Sequence, residues 1–218
     1  LAREAKSVNS IKKNNYFTVL IGNPPYSYVS SNTGSWITKL IRDYYKVDGH
    51  PLGERNPKGL LDDYVKFLRL VQYKIENSGY GVIGFINNNG FKDNPTFRGM
   101  RCSLKETFNK IHILDLHGSV KKKEFDSEGN ADQNVFDIQQ GVSINIISKT
   151  PIKDLPTSSI QHYDCIGSRK EKYEWLLHNS LTDVSWKKVQ ASSPEYMFFP
   201  RNDKIQDEYN QFISIVDA

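Results

Sequence analysis

Phe17 to Ile21 (FTVLI) is a continuous apolar run, β-branched and aromatic, that stops abruptly at Gly22-Asn23-Pro24-Pro25-Tyr26. A run without polar alternation predicts a strand buried on both faces, as in parallel α/β sheets, rather than one half-exposed to water. The two prolines end it, because each fixes φ near about −65° and removes an N–H donor. The chain is therefore committed to an α/β sheet with a rigid turn at the carboxyl edge of a strand. Open α/β sheets bind their ligands at that edge.

The remaining periodicity fits this frame. Leu1, Ala5, Val8 and Ile11 share one helical face over Leu1 to Lys13, with no cap before it, as if the chain began inside an element of something longer. Residues 27–58 are rich in Ser, Asn, Gly and Pro and read as a long loop of the kind that serves as a functional lid. Leu60, Tyr64, Phe67/Leu68, Val71 and Ile75 predict a helix ending near Asn77-Ser78-Gly79, and Tyr80 to Ile86 predicts the next buried strand. Asn94-Pro95 supplies an N-cap and a first-turn proline. Phe97, Met100, Leu104 and Phe108 form the apolar face of the helix that follows, with Arg98, Arg101 and Lys105 on another, as phosphate contacts or as a solvated face. Ile111 to Leu116 and Val142 to Ser148 predict an antiparallel pair joined by the polar stretch Gly118 to Gln140. Beyond Thr150-Pro151 the pattern loosens. The expected organisation is residues 1–150 as the carboxyl half of an α/β sheet with an antiparallel terminal hairpin, and residues 151–218 as a less regular connector.

Composition narrows the classes. Of the 218 residues 12% are aromatic and 25% charged, which suits a packed globular chain and excludes disorder. No apolar run approaches the ~20 residues that span a bilayer. The two cysteines, Cys102 and Cys165, form no C-x-x-C, and no metal-ligating set is visible, so a reducing, cytoplasmic home is expected. The net charge of +4 does not establish nucleic-acid binding, and Lys121-Lys122-Lys123 precede Glu124, Asp126, Glu128 and Asp132, so that stretch reads as a solvated loop.

The tetrapeptide Asn23-Pro24-Pro25-Tyr26 carries the chemistry. Without proline N–H groups, the backbone of the turn offers carbonyl acceptors only. The Asn23 amide oxygen and the Pro24 carbonyl can accept both hydrogens of one exocyclic amine. That pulls the nitrogen out of conjugation and aims its lone pair, as methyl transfer to an amine requires. Tyr26 can stack on the ring that bears the amine. The plain alternative is a proline-rich turn without chemistry.

IGNPPY after a buried strand resembles motif IV of the amino-group methyltransferases that use S-adenosylmethionine. Asp63-Tyr64-Val65-Lys66-Phe67 is similar to their motif V, Gly81 to Phe91 (GVIGFINNNGF) to motif VI, and Asn134-Val135-Phe136 with Gly141-Val142-Ser143 to motif VIII of the N6-adenine DNA methyltransferases. LGERNPKGLLDDYVKF, NPTFRGMR, ILDLHG, NVFDIQQGV and the segment around Tyr163-Asp164, Lys172-Tyr173 and Trp175-Leu176 resemble the Type ISP restriction-modification enzymes, which fuse a nuclease, a helicase, an adenine methyltransferase and a target-recognition domain. The resemblance implies a Rossmann-like methyltransferase sheet, double-stranded DNA and the remainder of a larger polypeptide as partners, and S-adenosylmethionine as cofactor. It places Asn23, Pro24, Pro25 and Tyr26 at the reacting amine, Tyr26 and Phe136 on either side of a flipped adenine, and Phe67 against the cofactor's adenine. The helical position of Phe67 suits the core equally. Asn87, Asn88 and Asn89 either line the pocket or form a polar strand-end turn.

One departure stands out. The glycine-rich cofactor loop of such enzymes should precede the tetrapeptide by many residues, and the 22 residues before Asn23 hold no strand followed by Gly-x-Gly. The chain is therefore expected to be a segment of a larger enzyme, inactive alone. Two other classes remain open: an RNA or protein amide methyltransferase sharing this tetrapeptide, and a non-catalytic DNA-binding or interaction module. His112 reads as a strand residue facing solvent or a carbonyl. Asp115 and His117 tempt as a base, although methyl transfer to adenine needs none of strength.

Overall fold

The computed structural model describes residues 4, 6, 10, 16–26, 30–151 and 158–201. Along the chain lie β1 (Val19–Gly22), α1 (Ser35–Leu40), β2 (Lys46–Val47), β3 (His50–Pro51), α2 (Asp63–Ser78), β4 (Gly81–Asn88), α3 (Arg98–Thr107), β5 (Lys110–Asp115), β6 (Val142–Lys149), β7 (Ser159–Asp164), α4 (Arg169–His178) and β8 (Lys187–Val189), linked by short 3₁₀ turns. The helical face of Leu1, Ala5, Val8 and Ile11 falls outside the described residues. No helix among the described residues is long and apolar enough to cross a membrane.

Six strands form one mixed sheet in the order β1-β4-β6-β5-β7-β8. β1–β4 and β5–β7 are parallel, whereas β6 runs antiparallel between β4 and β5 and β8 runs antiparallel to β7. The expected β5–β6 antiparallel pairing is present, with Ile113 opposite Asn145. This mixed α/β sheet is compatible with a Rossmann-like methyltransferase fold. Because β6 reverses direction twice, β1, β4, β5 and β7 all point the same way, and their carboxyl ends share one edge of the sheet.

Capping explains the helix limits. The Asp62 side chain accepts from the Tyr64 N–H at 3.3 Å to start α2, and Gly79 ends it in the left-handed conformation at φ +79°. Asn94 accepts from the Thr96 N–H at 2.9 Å ahead of α3, with Pro95 beside it. Tyr64, Leu68, Val71 and Ile75 of α2 and Met100 and Leu104 of α3 pack on Ile83, Phe85, Ile111, Ile113, Ile147 and Ile160. The opposite sheet face carries a second cluster built on Leu114, Leu116, Val135, Val142 and Cys165, against which Trp175 of α4 packs.

Three expectations change. β1 spans Val19–Gly22 and lies at the sheet edge, not buried on both faces: only β4 pairs with it among the described residues, leaving Val19 62% and Ile21 83% exposed. Residues 35–51 are not a plain loop but hold α1, a 3₁₀ turn over Ile41–Tyr45 and the β2–β3 hairpin. That hairpin turns on Asp48-Gly49, both at positive φ (51° and 77°), as a two-residue turn of this hand requires. Finally, the described residues beyond 150 (151 and 158–201) do not loosen. β7 and β8 extend the same sheet across that point, α4 opens with a capping box between Ser168 and Glu171, and Phe198 is fully buried against Phe91.

Candidate functional site

Asn23-Pro24-Pro25-Tyr26 leaves β1 at the shared carboxyl edge. Pro24 is buried, Asn23 and Pro25 are exposed, and Tyr26 is half-buried. The turn folds back over β4: the Tyr26 hydroxyl donates to Asn23 Oδ1 at 2.9 Å and reaches the Ile86 carbonyl at 3.3 Å. Burial pushes the Tyr26 phenol up to about 12, so it is a neutral donor at neutral pH. The ring packs against both apolar clusters, which sets its plane. An amide oxygen accepts two hydrogen bonds. With one taken by Tyr26, Asn23 Oδ1 retains a second acceptor direction for an incoming amine.

Phe136 lies on the Gly118–Gln140 connection, which leaves β5 at the same edge. A dense set of bonds shapes this loop. Asn134 accepts from the Phe136 N–H at 2.9 Å and donates to the carbonyls of Gly118, Ile138 and Gln140. The buried Asp132–Lys172 pair, at 2.6 Å, ties the loop to α4, and Arg169 donates to the Asn134 and Phe136 carbonyls. Gly118, at φ +83°, is required there, because a Cβ would sit 2.5 Å from Asn134 Cα. Phe136 lines an open cleft of about 470 Å³ with Val120, Gln133, Gln139 and Arg169. Tyr26 and Phe136 both border the second apolar cluster, so one edge gathers them, but their rings make no contact among the described residues.

Phe67 is 40% exposed and so does not take the core position its spacing also suits. It faces a second cleft of about 180 Å³ lined by Asn32, Trp36, Lys66 and Leu70. The chain following the tetrapeptide is fastened beside it. The buried Lys66 ammonium donates to Ser30 Oγ at 2.9 Å and to the Asn32 carbonyl at 2.6 Å, and Ser30 in turn donates to Asp63. These bonds link the tetrapeptide's exit to the first turns of α2.

The helix-facing side of the sheet turns polar as its strands approach the carboxyl edge. Ile83 and Phe85 give way to Asn87, Ile147 to Asn145 and Ser143, Ile111 and Ile113 to Asp115, and Ile160 to His162 and Asp164. Asn145 donates to Asn87 Oδ1 at 2.7 Å, Asn88 caps the next turn by accepting from Gly90, and Asn89 donates to Asp115 at 2.7 Å. The Asn87–Asn89 run is thus a strand-end network and lines neither cleft. Lys92 forms a buried ion pair with Asp115, and His117 sits between Glu124 and Asp164 at 3.0 Å from each.

Burial opposes charge throughout this layer, but the neighbours outweigh it in most cases. Burial alone would lower His117, yet Asp164, Asp115 and Glu124 raise it above the ordinary histidine value. Burial would raise Asp164, but His117 and His162 bring it down to about 2. Burial holds His162 below the ordinary value, and both its ring nitrogens lack hydrogen-bond partners. Sequence spacing gave no sign of metal ligands, yet Asp115, His162 and Asp164 place one ligand atom each within 4.8 Å of one another. The Lys92 ammonium on Asp115 already occupies the place of a cation there.

The helix cations also resolve inward. Arg101 is fully buried, donating to the carbonyls of Phe91, Asn94, Glu195 and Tyr196. Arg98 pairs with Glu54, and Lys105 donates to the Ala191 carbonyl at 2.7 Å. These side chains are spent within the fold. His112 packs edge-on to Trp186, 5.0 Å between centroids.

No family model and no curated protein matches the sequence. Solved structures do. A DrdV–DNA complex determined by cryo-electron microscopy covers 98% of this chain at 22% identity and TM-score 0.78. The ATP-dependent Type ISP restriction-modification enzyme LlaBIII bound to DNA covers 94% at 26% identity and TM-score 0.76. A nuclease-deletion mutant of the Type ISP enzyme LlaGI with a DNA substrate mimic covers 94% at 21% identity and TM-score 0.77. The chain spans 21%, 14% and 20% of those chains, respectively. Over nearly its whole length it has the fold of one segment of such large DNA-bound enzymes.

Proposed function

We propose that this chain is part of a DNA adenine-N6 methyltransferase of a restriction-modification system, acting on a flipped adenine with S-adenosylmethionine as methyl donor. The observation that carries the reading is the Asn23–Tyr26 pair at the carboxyl edge, in a turn whose two prolines present carbonyl acceptors only and whose Asn oxygen is oriented by the neighbouring phenol. Asn23 Oδ1 and the Pro24 carbonyl accept the two N6 hydrogens and direct the nitrogen lone pair toward the methyl. Tyr26 stacks on one side of the base, and the loop bearing Phe136 closes on the other. Extruding the base costs a few kcal/mol, and stacking on aromatic rings returns about 1–3 kcal/mol per base. Bound S-adenosylmethionine would supply an electrophilic methyl group. The exposed Phe67 ring and the adjoining cleft suit contact with its adenine. The fold likeness to DNA-bound Type ISP enzymes supports the restriction-modification setting.

In the complete protein, Asn23→Ala should abolish adenine methylation of duplex DNA and leave DNA affinity within a few fold, since phosphate contacts supply most of that affinity. Near-normal turnover in Asn23→Ala would remove the amine-holding role. Methylation of RNA or protein substrates in preference to DNA would replace this reading with another.

A further inference from the structure

The segment between the tetrapeptide and α2 separates its charges. Over residues 36–60 the acidic side chains are Asp43, Asp48 and Glu54. Two are ion-paired and the third is hydrogen-bonded, with Asp43 and Asp48 at the surface. Asp43 pairs with Arg69 at 2.6 Å, Glu54 pairs with Arg98, and Asp48 accepts from the Ser193 hydroxyl at 2.6 Å and from the Tyr196 hydroxyl. The cations of the same stretch, Lys39, Arg42, Lys46, Arg55 and Lys58, are all exposed, and none forms an ion pair among the described residues. Arg42 and Lys46 flank an open cleft of about 360 Å³ whose wall includes Thr38, Tyr45 and Pro51.

This cationic face has a defined place. The Tyr44 and Lys46 carbonyls press so closely on the first turn of α3 that a Cβ at Gly99 would lie 2.3 Å from the former. That turn follows the carboxyl end of β4, so the face flanks the edge that holds the tetrapeptide.

We infer that Lys39, Arg42 and Lys46, supported by Arg55 and Lys58, contact the phosphate backbone of duplex DNA beside the nucleotide being modified. The inference deepens the methyltransferase reading and rests on it for the choice of polyanion. Pairing of Asp43 and Glu54 with arginines of α2 and α3 leaves Asp48, held only by neutral hydroxyls, against five unpaired cations, so the segment is more positive outward than its sequence suggests, and a partner with one negative charge per about 1.7 Å of axis is the matching ligand. The contacts are to backbone and therefore position the duplex without reading sequence.

The test is the salt dependence of duplex binding by the complete protein, followed by fluorescence anisotropy between about 50 and about 200 mM salt. Lys39→Gln/Arg42→Gln/Lys46→Gln should make the log–log slope shallower by about 2–3, since each phosphate contact accounts for about 0.9. The loss should be equal on cognate and unrelated duplexes. A control pair on the opposite sheet edge, Lys110→Gln/Lys149→Gln, should leave the slope as it is. A slope within about 0.5 of the unaltered protein overturns the inference, as does a shift seen with duplex RNA and absent with duplex DNA. If the unaltered protein binds DNA with the predicted slope but methylates no adenine, the methyltransferase reading fails and the phosphate contacts stand.

Discussion

Replacing Arg101 tests how this fold is held together at the edge that bears the site. Its guanidinium is fully buried, forms no ion pair among the described residues, and donates to four backbone carbonyls. Two of these follow β4, and two belong to the segment after β8, so one side chain joins distant parts of the chain. Arg101→Met keeps much of the stem's volume and removes the charge. Loss of charge-assisted bonds to four carbonyls is worth about 6–8 kcal/mol. Against this stands relief of a desolvated cation. Burial draws the Arg101 pKa down to about 10, which corresponds to about 3–4 kcal/mol. The net loss is about 2–5 kcal/mol, or a Tm lower by roughly 4–20 °C in a chain of this size. Arg101→Lys should be at least as damaging, because it keeps a buried charge and supplies too few donors in the wrong geometry. Thermal unfolding followed by circular dichroism measures both. A shift below about 2 °C for Arg101→Met, or an Arg101→Lys protein as stable as the unaltered one, would refute this accounting of the buried charge.

The histidine layer predicts opposite pH responses. His117 is raised in the fold, so its stabilising effect is complete below about pH 6.5 and is lost as pH climbs through the folded value. His162 is lowered, so its contribution is present above about pH 6.5 and is lost as pH falls through its folded value. In urea titrations, His117→Gln should flatten the alkaline decline and His162→Phe the acidic one; both curves unchanged would dismiss the network as a titrating unit. Gly118→Ala should cost about 2–3 kcal/mol and displace the Phe136 loop, lowering the quantum-yield change of 2-aminopurine at the target position, because its Cβ meets Asn134 and its φ is +83°. Phe67→Ala should raise the KM for S-adenosylmethionine roughly tenfold while changing stability by less than about 1 kcal/mol, as suits a ring 40% exposed. An unchanged KM would place the cofactor elsewhere.

Much of this was legible in sequence where a single local rule governs. The spacing of Tyr64, Leu68, Val71 and Ile75 marked α2, Asn94-Pro95 marked the approach to α3, and the prolines after β1 marked the turn that carries the candidate chemistry. Other features escaped for physical reasons. Asp48-Gly49 is a strong hairpin signal, but its flanking strands are only two residues long and show no alternation. The fates of Arg98, Arg101 and Lys105 depend on partners up to 95 positions away, which no local period encodes. The buried polar layer could have been found. On each strand the inward-facing position changes from Ile or Phe to Asn, Asp, Ser or His toward the same end, a pattern visible once the strand directions are known. Whether Phe67 faced core or solvent turned on how far α1 covers α2, which is a question of packing.

The common direction of β1, β4, β5 and β7 leaves two sheet edges with different freedoms. Every segment with candidate chemistry departs from the carboxyl edge, where loops are long and cross-tied. At the other edge two connections are terse: Gly79 and Tyr80 join α2 to β4, and Phe108 and Asn109 join α3 to β5. A fluorophore attached at the half-exposed position Tyr80 would ride on the rigid scaffold at the far end of the strands from the tetrapeptide. That far edge can bear mechanical load without disturbing the alignment of Asn23 and Tyr26.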